Sequence, residues 1–180
     1  MTAGGAVSVR PAGPADVGQI YAFIVELAEY ERAREQVVGT PELLADALFG
    51  SAPVAEVLMA ESDDVAAGFA VFHSSFSTWE CRAGLWLEDL YVSPAHRRAG
   101  VGGALLRALA AIAVARGCSR LEWNALDWNE PALDFYASLG ATRLPEWERH
   151  RLSGDALARM AAGGAGGRAG GVHGRHAPTP

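Results

Sequence analysis

Residues 96–103 read His-Arg-Arg-Ala-Gly-Val-Gly-Gly and join an apolar run, residues 85–92, to a stretch whose apolar residues recur at helical spacing from Val101 onward. A strand that turns directly into a helix through a glycine-rich, doubly basic loop constrains both fold and ligand. Glycines let backbone N–H groups approach an oxyanion, and the first helical turn offers unpaired N–H donors and the positive end of its dipole. Arg97 and Arg98 add permanent charge. The junction is therefore an anion site of the kind a pyrophosphate fills. Two familiar phosphate loops are excluded by spacing: a P-loop ends in Gly-Lys-Ser or Gly-Lys-Thr, and the chain has no lysine, while a dinucleotide fingerprint carries a third glycine where Leu105 stands.

The remaining periodicities predict alternating strands and helices. A short strand is expected at residues 7–10, then a helix opened by Pro14 and Asp16 and carried by Ile20, Phe23, Ile24 and Leu27 to about residue 34. Thr40 before Pro41 is a cap followed by proline at the first helical position, which predicts a second helix over 41–49. Residues 54–60 and 66–76 read as a hairpin around Glu61-Ser62-Asp63-Asp64. After the strand at 85–92 and the glycine loop comes a helix to about Arg116, closed by Gly117. A strand at 121–125 follows, parallel to its predecessor if the helix is a crossover. Pro131 opens a short helix ending at Gly140. Strands near 141–144 and 148–152 and a helix over 154–160 complete the expectation.

One mixed α/β domain over residues 1–162 accounts for these elements, because 180 residues, half of them hydrophobic, suffice for a single substantial core. Residues 163–180, dominated by glycine and alanine with no apolar period, read as a disordered tail. No run of 18 apolar residues suggests a membrane span and no signal-peptide layout opens the chain, so the cytoplasm is the expected compartment. Cys81 and Cys118 are expected as reduced thiols. The histidines lack metal-ligand spacing, and no metal is expected. The first 162 residues hold 13 arginines against 21 acids, a net −8, which argues against nucleic acid as a partner. Acids gather early, at Glu26, Glu29, Glu31, Glu35, Glu42 and Asp46, a pattern suited to a cationic substrate.

Arg97, Gly100 and Gly102 form Arg-x-x-Gly-x-Gly. The run Asn129-Glu130-Pro131-Ala132-Leu133-Asp134-Phe135-Tyr136 begins 27 residues after Gly102, with Gly140-Ala141 beyond it. Together these motifs resemble the GNAT superfamily of N-acetyltransferases. Glu26-Leu27-Ala28-Glu29-Tyr30-Glu31, Leu87-Glu88-Asp89 and Asp127-Trp128-Asn129-Glu130-Pro131 resemble its spermidine/spermine (diamine) branch, some of whose bacterial relatives act on thialysine-like amino acids. The resemblance implies a central, mostly antiparallel mixed sheet with one parallel strand pair splayed to admit the pantetheine of acetyl-CoA. It also implies a homodimer. Leu90, Tyr91 and Val92 would then meet pantetheine through their backbone. Arg97, Arg98, Ala99, Gly100, Val101, Gly102 and Gly103 would hold the pyrophosphate, and Asn129 would reach the pantetheine arm. Tyr30, Glu31, Glu88, Asp89 and Glu148 would line the amine channel, from which Pro145-Glu146-Trp147 and Trp123 depart relative to that branch.

The chemistry sets clear demands. An alkylamine with a pKa of about 10.4 is less than roughly one part in a thousand neutral at pH 7, so a group must take its proton. The resemblance assigns this to Glu88, directly or through a water, with Asp89 as the weaker candidate. Tyr136 matches the superfamily's tyrosine at the leaving thiolate. Full proton transfer from a phenol of pKa about 10 to a thiolate of about 8.5 is uphill by roughly 2 kcal/mol, so hydrogen-bond donation is its main expected role. Two other functions compete: acetylation of peptide amines, which needs an open groove, and an acyl-CoA-binding module without turnover, against which Glu88 and Tyr136 argue.

Overall fold

The computed structural model describes residues 6–163; the tail from residue 164 onward lies outside the described residues. The described residues fall into two compact units, divided after Asn129. The first is built on a five-stranded sheet in the order β1 (Val7–Pro11), β2 (Glu56–Ser62), β3 (Val65–Ser77), β4 (Arg82–Val92) and β5 (Leu121–Trp123). Every neighbouring pair is antiparallel except β4 and β5, which are parallel. Four consecutive strands can be antiparallel because short turns join three of them. Asp63 and Asp64, at φ 52° and 62°, form the two-residue turn between β2 and β3, where Ser62 pairs with Val65.

Three helices cover the sheet: α1 (Val17–Tyr30), α2 (Pro41–Phe49) and α3 (Val101–Ala115). Ile20 and Phe23 of α1 and Leu48 of α2 pack with Val57, Met59, Phe69 and Tyr91 from one sheet face. The other face meets α3, which buries Val101, Leu105, Leu106, Leu109 and Ala113. Phe72 belongs to that face, for the Arg116 guanidinium after α3 lies 5.8 Å over its ring. Covering both faces explains why residues 57–60 of β2 are continuously buried rather than alternating.

α2 has the predicted bounds, and Thr40 accepts a hydrogen bond from the Leu43 N–H as its cap. α1 ends four residues short of expectation. At its end the Ala33 N–H bonds to the Ala28 carbonyl (2.8 Å) and the Arg32 N–H to the Glu29 carbonyl (3.1 Å), with Arg32 left-handed at φ 58°. The same closure ends α3 at Gly117 and α4 (Glu130–Ser138) at Gly140. An arginine in the place of the glycine leaves no stop signal to read.

The second unit contains α4 and α5 (Gly154–Ala161), and no strand forms over residues 141–153. The two expected there are corrected by burial: Leu144, Trp147 and Leu152 are all exposed, Pro145 lacks an N–H, and Glu146, Glu148, Arg149, His150 and Arg151 supply no apolar face. Among the described residues no helix is long and apolar enough to cross a membrane.

A left-handed non-glycine residue costs roughly 1 kcal/mol, which glycine relieves. Arg32→Gly is expected to raise the melting temperature by about 2 °C; a calorimetric scan checks it, and a fall would show that the Arg32 side chain contributes more than its backbone costs.

Candidate active site

The site is set by an irregularity in β4. Val71 of β3 pairs with Asp89, yet the next residue, Phe72, pairs with Leu87, so Glu88 is an extra residue bulged out of the ladder. Directly paired residues share a sheet face. Leu87 therefore lies with Phe72 on the α3 side, whereas Tyr91, opposite Phe69, lies on the α1 side. The bulge switches the face to which odd-numbered residues of β4 turn, and Asp89 joins Tyr91 beneath α1.

Parallel pairing ends at the same point. β5 matches β4 only from Leu85 to Leu87, and among the described residues no strand pairs with 88–92 on that edge. Backbone amides left open there can bind an extended, amide-rich chain. Ser93 anchors the end of β4 through its N–H to the Ala67 carbonyl (2.9 Å), and the loop then leads into α3. Gly100, the residue before α3, is left-handed at φ 84°, and no side chain caps the helix. The first intrahelical bond is Ala104 N–H to the Gly100 carbonyl (2.9 Å), which leaves the N–H groups of Val101, Gly102 and Gly103 ahead of the ladder. Arg98 is also left-handed, at φ 65°. These features fit a pyrophosphate and the arm attached to it.

Three predicted carboxylates come together on the α1 side. Asp89 is half-buried, and its burial, with Glu88 and Glu31 nearby, pushes its carboxyl up to about 6. Partial burial also raises Glu31 at the end of α1. Glu88 is exposed, and the Trp86 indole Nε1–H donates to its Oε2 at 2.9 Å. Tyr91 is buried, and its hydroxyl donates to Glu26 Oε2 at 2.7 Å; burial and that carboxylate hold the phenol up at about 12. Glu26 is thereby engaged in packing. Sequence reasoning missed this bond, since nothing local links two residues 65 apart.

Tyr30, Arg97 and Asn129 form a second group. The Arg97 guanidinium lies 4.9 Å over the Tyr30 ring and its Nε–H donates to the Val92 carbonyl at 3.2 Å, while the Tyr30 hydroxyl donates to Asn129 Oδ1 at 3.1 Å. Tyr136 and Glu148 belong to the second unit. Tyr136 is half-buried on α4 with its ring 5.4 Å from that of Phe135, and Glu148 is exposed with His150 at 4.0 Å. Among the described residues no cluster of His, Cys, Asp and Glu could hold a metal ion.

A mixed sheet with one parallel pair parting beside an uncapped, glycine-led helix defines an acyl-CoA-dependent acetyltransferase. The model of the acetyltransferase (GNAT) family matches residues 8–141, and the chain belongs to that family. A thialysine N-epsilon-acetyltransferase of Bos taurus is 38% identical over 166 residues, covering 86% of this chain and 97% of that protein. An L-ornithine N5-acetyltransferase of Arabidopsis thaliana is 31% identical, covering 83% and 85%. Among solved structures, an integron cassette protein of V. cholerae superposes with a TM-score of 0.72 at 29% identity, covering 86% and 97%. The activity is acetyl-CoA-dependent amine N-acetylation.

Gly68 sits opposite Val92, and a Cβ there would run into the Tyr91 carbonyl. Gly68→Ala should therefore push the end of β4 away, costing about 1–3 kcal/mol in urea unfolding and weakening acetyl-CoA binding; unchanged values of both would show that this close approach is not needed.

Proposed function

We propose that the enzyme acetylates a primary amine of a small dicationic substrate, a diamine, a polyamine or an amino acid with a basic side chain. The convergence of Glu31, Glu88 and Asp89 at the point where β4 and β5 part carries this reading. One carboxylate suffices for the reacting nitrogen; further ones suit a second cationic group that orients the substrate. The relatives named for thialysine and ornithine support a basic amino acid. The motifs of the diamine branch support a polyamine.

In this reading acetyl-CoA lies along residues 90–92, with its pyrophosphate on residues 97–103, and presents its thioester to the amine. A carboxylate takes one proton from the ammonium, the neutral amine attacks the carbonyl carbon, the C–S bond breaks, and the second N–H proton passes to the departing thiolate, which leaves as the thiol of CoA. Tyr136 hydrogen-bonds the departing thiolate, Glu148 adds to the amine channel, and the enzyme works as a cytoplasmic homodimer. Residues 1–162 act as one catalytic domain, supported by a family match that runs across residue 129.

Glu88 is the proton acceptor that the sequence resemblance favours. A specific observation favours Asp89 instead: Glu88 is exposed and held by Trp86, while Asp89 is half-buried with its carboxyl at about 6. A group of that pKa is mostly unprotonated at pH 7 yet takes a proton more readily than an ordinary aspartate.

Two measurements test these assignments. Steady-state kinetics with a panel of amines should give higher kcat/KM for diamines and basic amino acids than for monoamines, with the preference reduced by added salt. Lysine peptides winning by a wide margin would favour the peptide reading, and no turnover of any amine would favour the binding module. Across pH, kcat/KM should fall as acidity rises through about 6, where Asp89 gains its proton. Asp89→Asn removes that limb and Glu88→Gln keeps it if Asp89 is the acceptor; the reverse pattern assigns Glu88.

A further inference from the structure

Tyr30 is the last residue of α1, where the diamine resemblance sets it in the amine channel beside Glu31. Its contacts lie elsewhere. The ring carries the Arg97 guanidinium at 4.9 Å on one side and packs against Trp128 at 6.1 Å, and the hydroxyl bonds to Asn129 at 3.1 Å. Arg97 follows β4 and Asn129 follows β5, the two strands that part. A single side chain thus ties together the segments leaving both walls of the gap.

We propose that Tyr30 is a positioning residue for acetyl-CoA, holding Arg97 and Asn129 in register across the parted strands, and takes no part in the amine channel. The inference rests on the reading that residues 97–103 and Asn129 bind the acyl-CoA.

The chemistry of each contact supports the role. A guanidinium stacked on an aromatic face keeps its plane fixed, and the Nε bond to the Val92 carbonyl fixes its rotation about the stem. Arg97 is therefore held at the end of β4 before any anion arrives, so less side-chain freedom is lost on binding. Asn129 gains a defined amide orientation. With Oδ1 accepting from the phenol, Nδ2 is the face left to donate, and the group it suits is a carbonyl such as those of pantetheine. Trp128 backs the tyrosine ring, and Arg32 lies 5.9 Å over the indole in turn. An isolated channel residue would need none of this bracing.

Tyr30→Phe keeps the ring under Arg97 and loses the bond to Asn129; Tyr30→Leu loses both. Binding of CoA itself, followed by isothermal titration calorimetry, reads the role without any amine. The expected result is a severalfold rise in Kd for Tyr30→Phe and a rise beyond tenfold for Tyr30→Leu. The amine KM at saturating acetyl-CoA should stay within twofold. Asn129→Ala should weaken CoA binding on its own, and adding Tyr30→Phe to it should cost little more, because both changes break one contact. Unchanged CoA affinity in Tyr30→Phe, with the amine KM raised instead, would return Tyr30 to the amine channel and overturn the proposal. Should Tyr30→Leu fail to fold, the Tyr30→Phe and Asn129→Ala cycle still decides. A wild-type chain that binds no CoA would refute the cofactor site itself, a failure distinct from that of Tyr30.

Discussion

The extra residue at Glu88 governs the geometry of the whole site. A β-strand alternates its side chains strictly, so a regular β4 could not place Leu87 in the core under α3 and also set Asp89 and Tyr91 under α1. The bulge reverses the alternation once, at the position where parallel pairing with β5 ceases. Both consequences serve one purpose. Residues before the bulge stay committed to the core; those after it turn a carboxyl toward α1 and leave a backbone edge open. Burying Asp89 beside two other carboxylates disfavours its ionised form, which is why its affinity for a proton is high. An ammonium group entering that cluster would reverse the balance by supplying the missing positive charge.

The end of α1 contributes two consecutive residues with separate tasks. Tyr30 meets the loop after β4 and the segment after β5, while Glu31 adds its charge to Asp89. On a helix, neighbouring residues differ by about 100° in direction, so one terminus can serve two sites without their side chains colliding. That arrangement requires the chain to leave the helix directly after Glu31. The left-handed Arg32 performs the turn, and its side chain lies over Trp128, the residue that backs Tyr30.

The elements most legible in the sequence were those with local physical signals. Thr40-Pro41, Asp63-Asp64, Gly100 and Gly117 each carry the conformational preference of the cap, turn or helix end they form, and the bounds of α2 and the loop before α3 followed from them. What remained hidden lacked such a signal. Glu88 is an ordinary residue in an ordinary strand pattern, and its bulge arises from pairing with β3, a partner that local periodicity does not reveal. Arg32 ends a helix in the place where α3 and α4 use glycine. The early acids looked equivalent, yet Glu26 is engaged by Tyr91 while Glu31 reaches the carboxylate cluster. Residues 148–152 form no strand because Glu148, Arg149, His150 and Arg151 leave the exposed Leu152 without an apolar face to share.

A chain with a net charge of −6 offers a binding place to a polyanion, which composition alone would not suggest. The resolution is one of range. At physiological ionic strength a surface charge is largely screened beyond about 8 Å, so the sum over the molecule says little about the potential inside one loop. Within that loop the sources are few and close: two arginines, the three leading N–H groups of α3, and the helix dipole behind them. The carboxylates lie on the α1 side of the sheet, with Asp89 itself half-buried. Within the loop the near donors outweigh the net charge, and on the α1 side the carboxylates that act on Asp89 are likewise near ones, Glu88 and Glu31. The bulge keeps the two apart, for without it Asp89 would turn to the face that α3 covers.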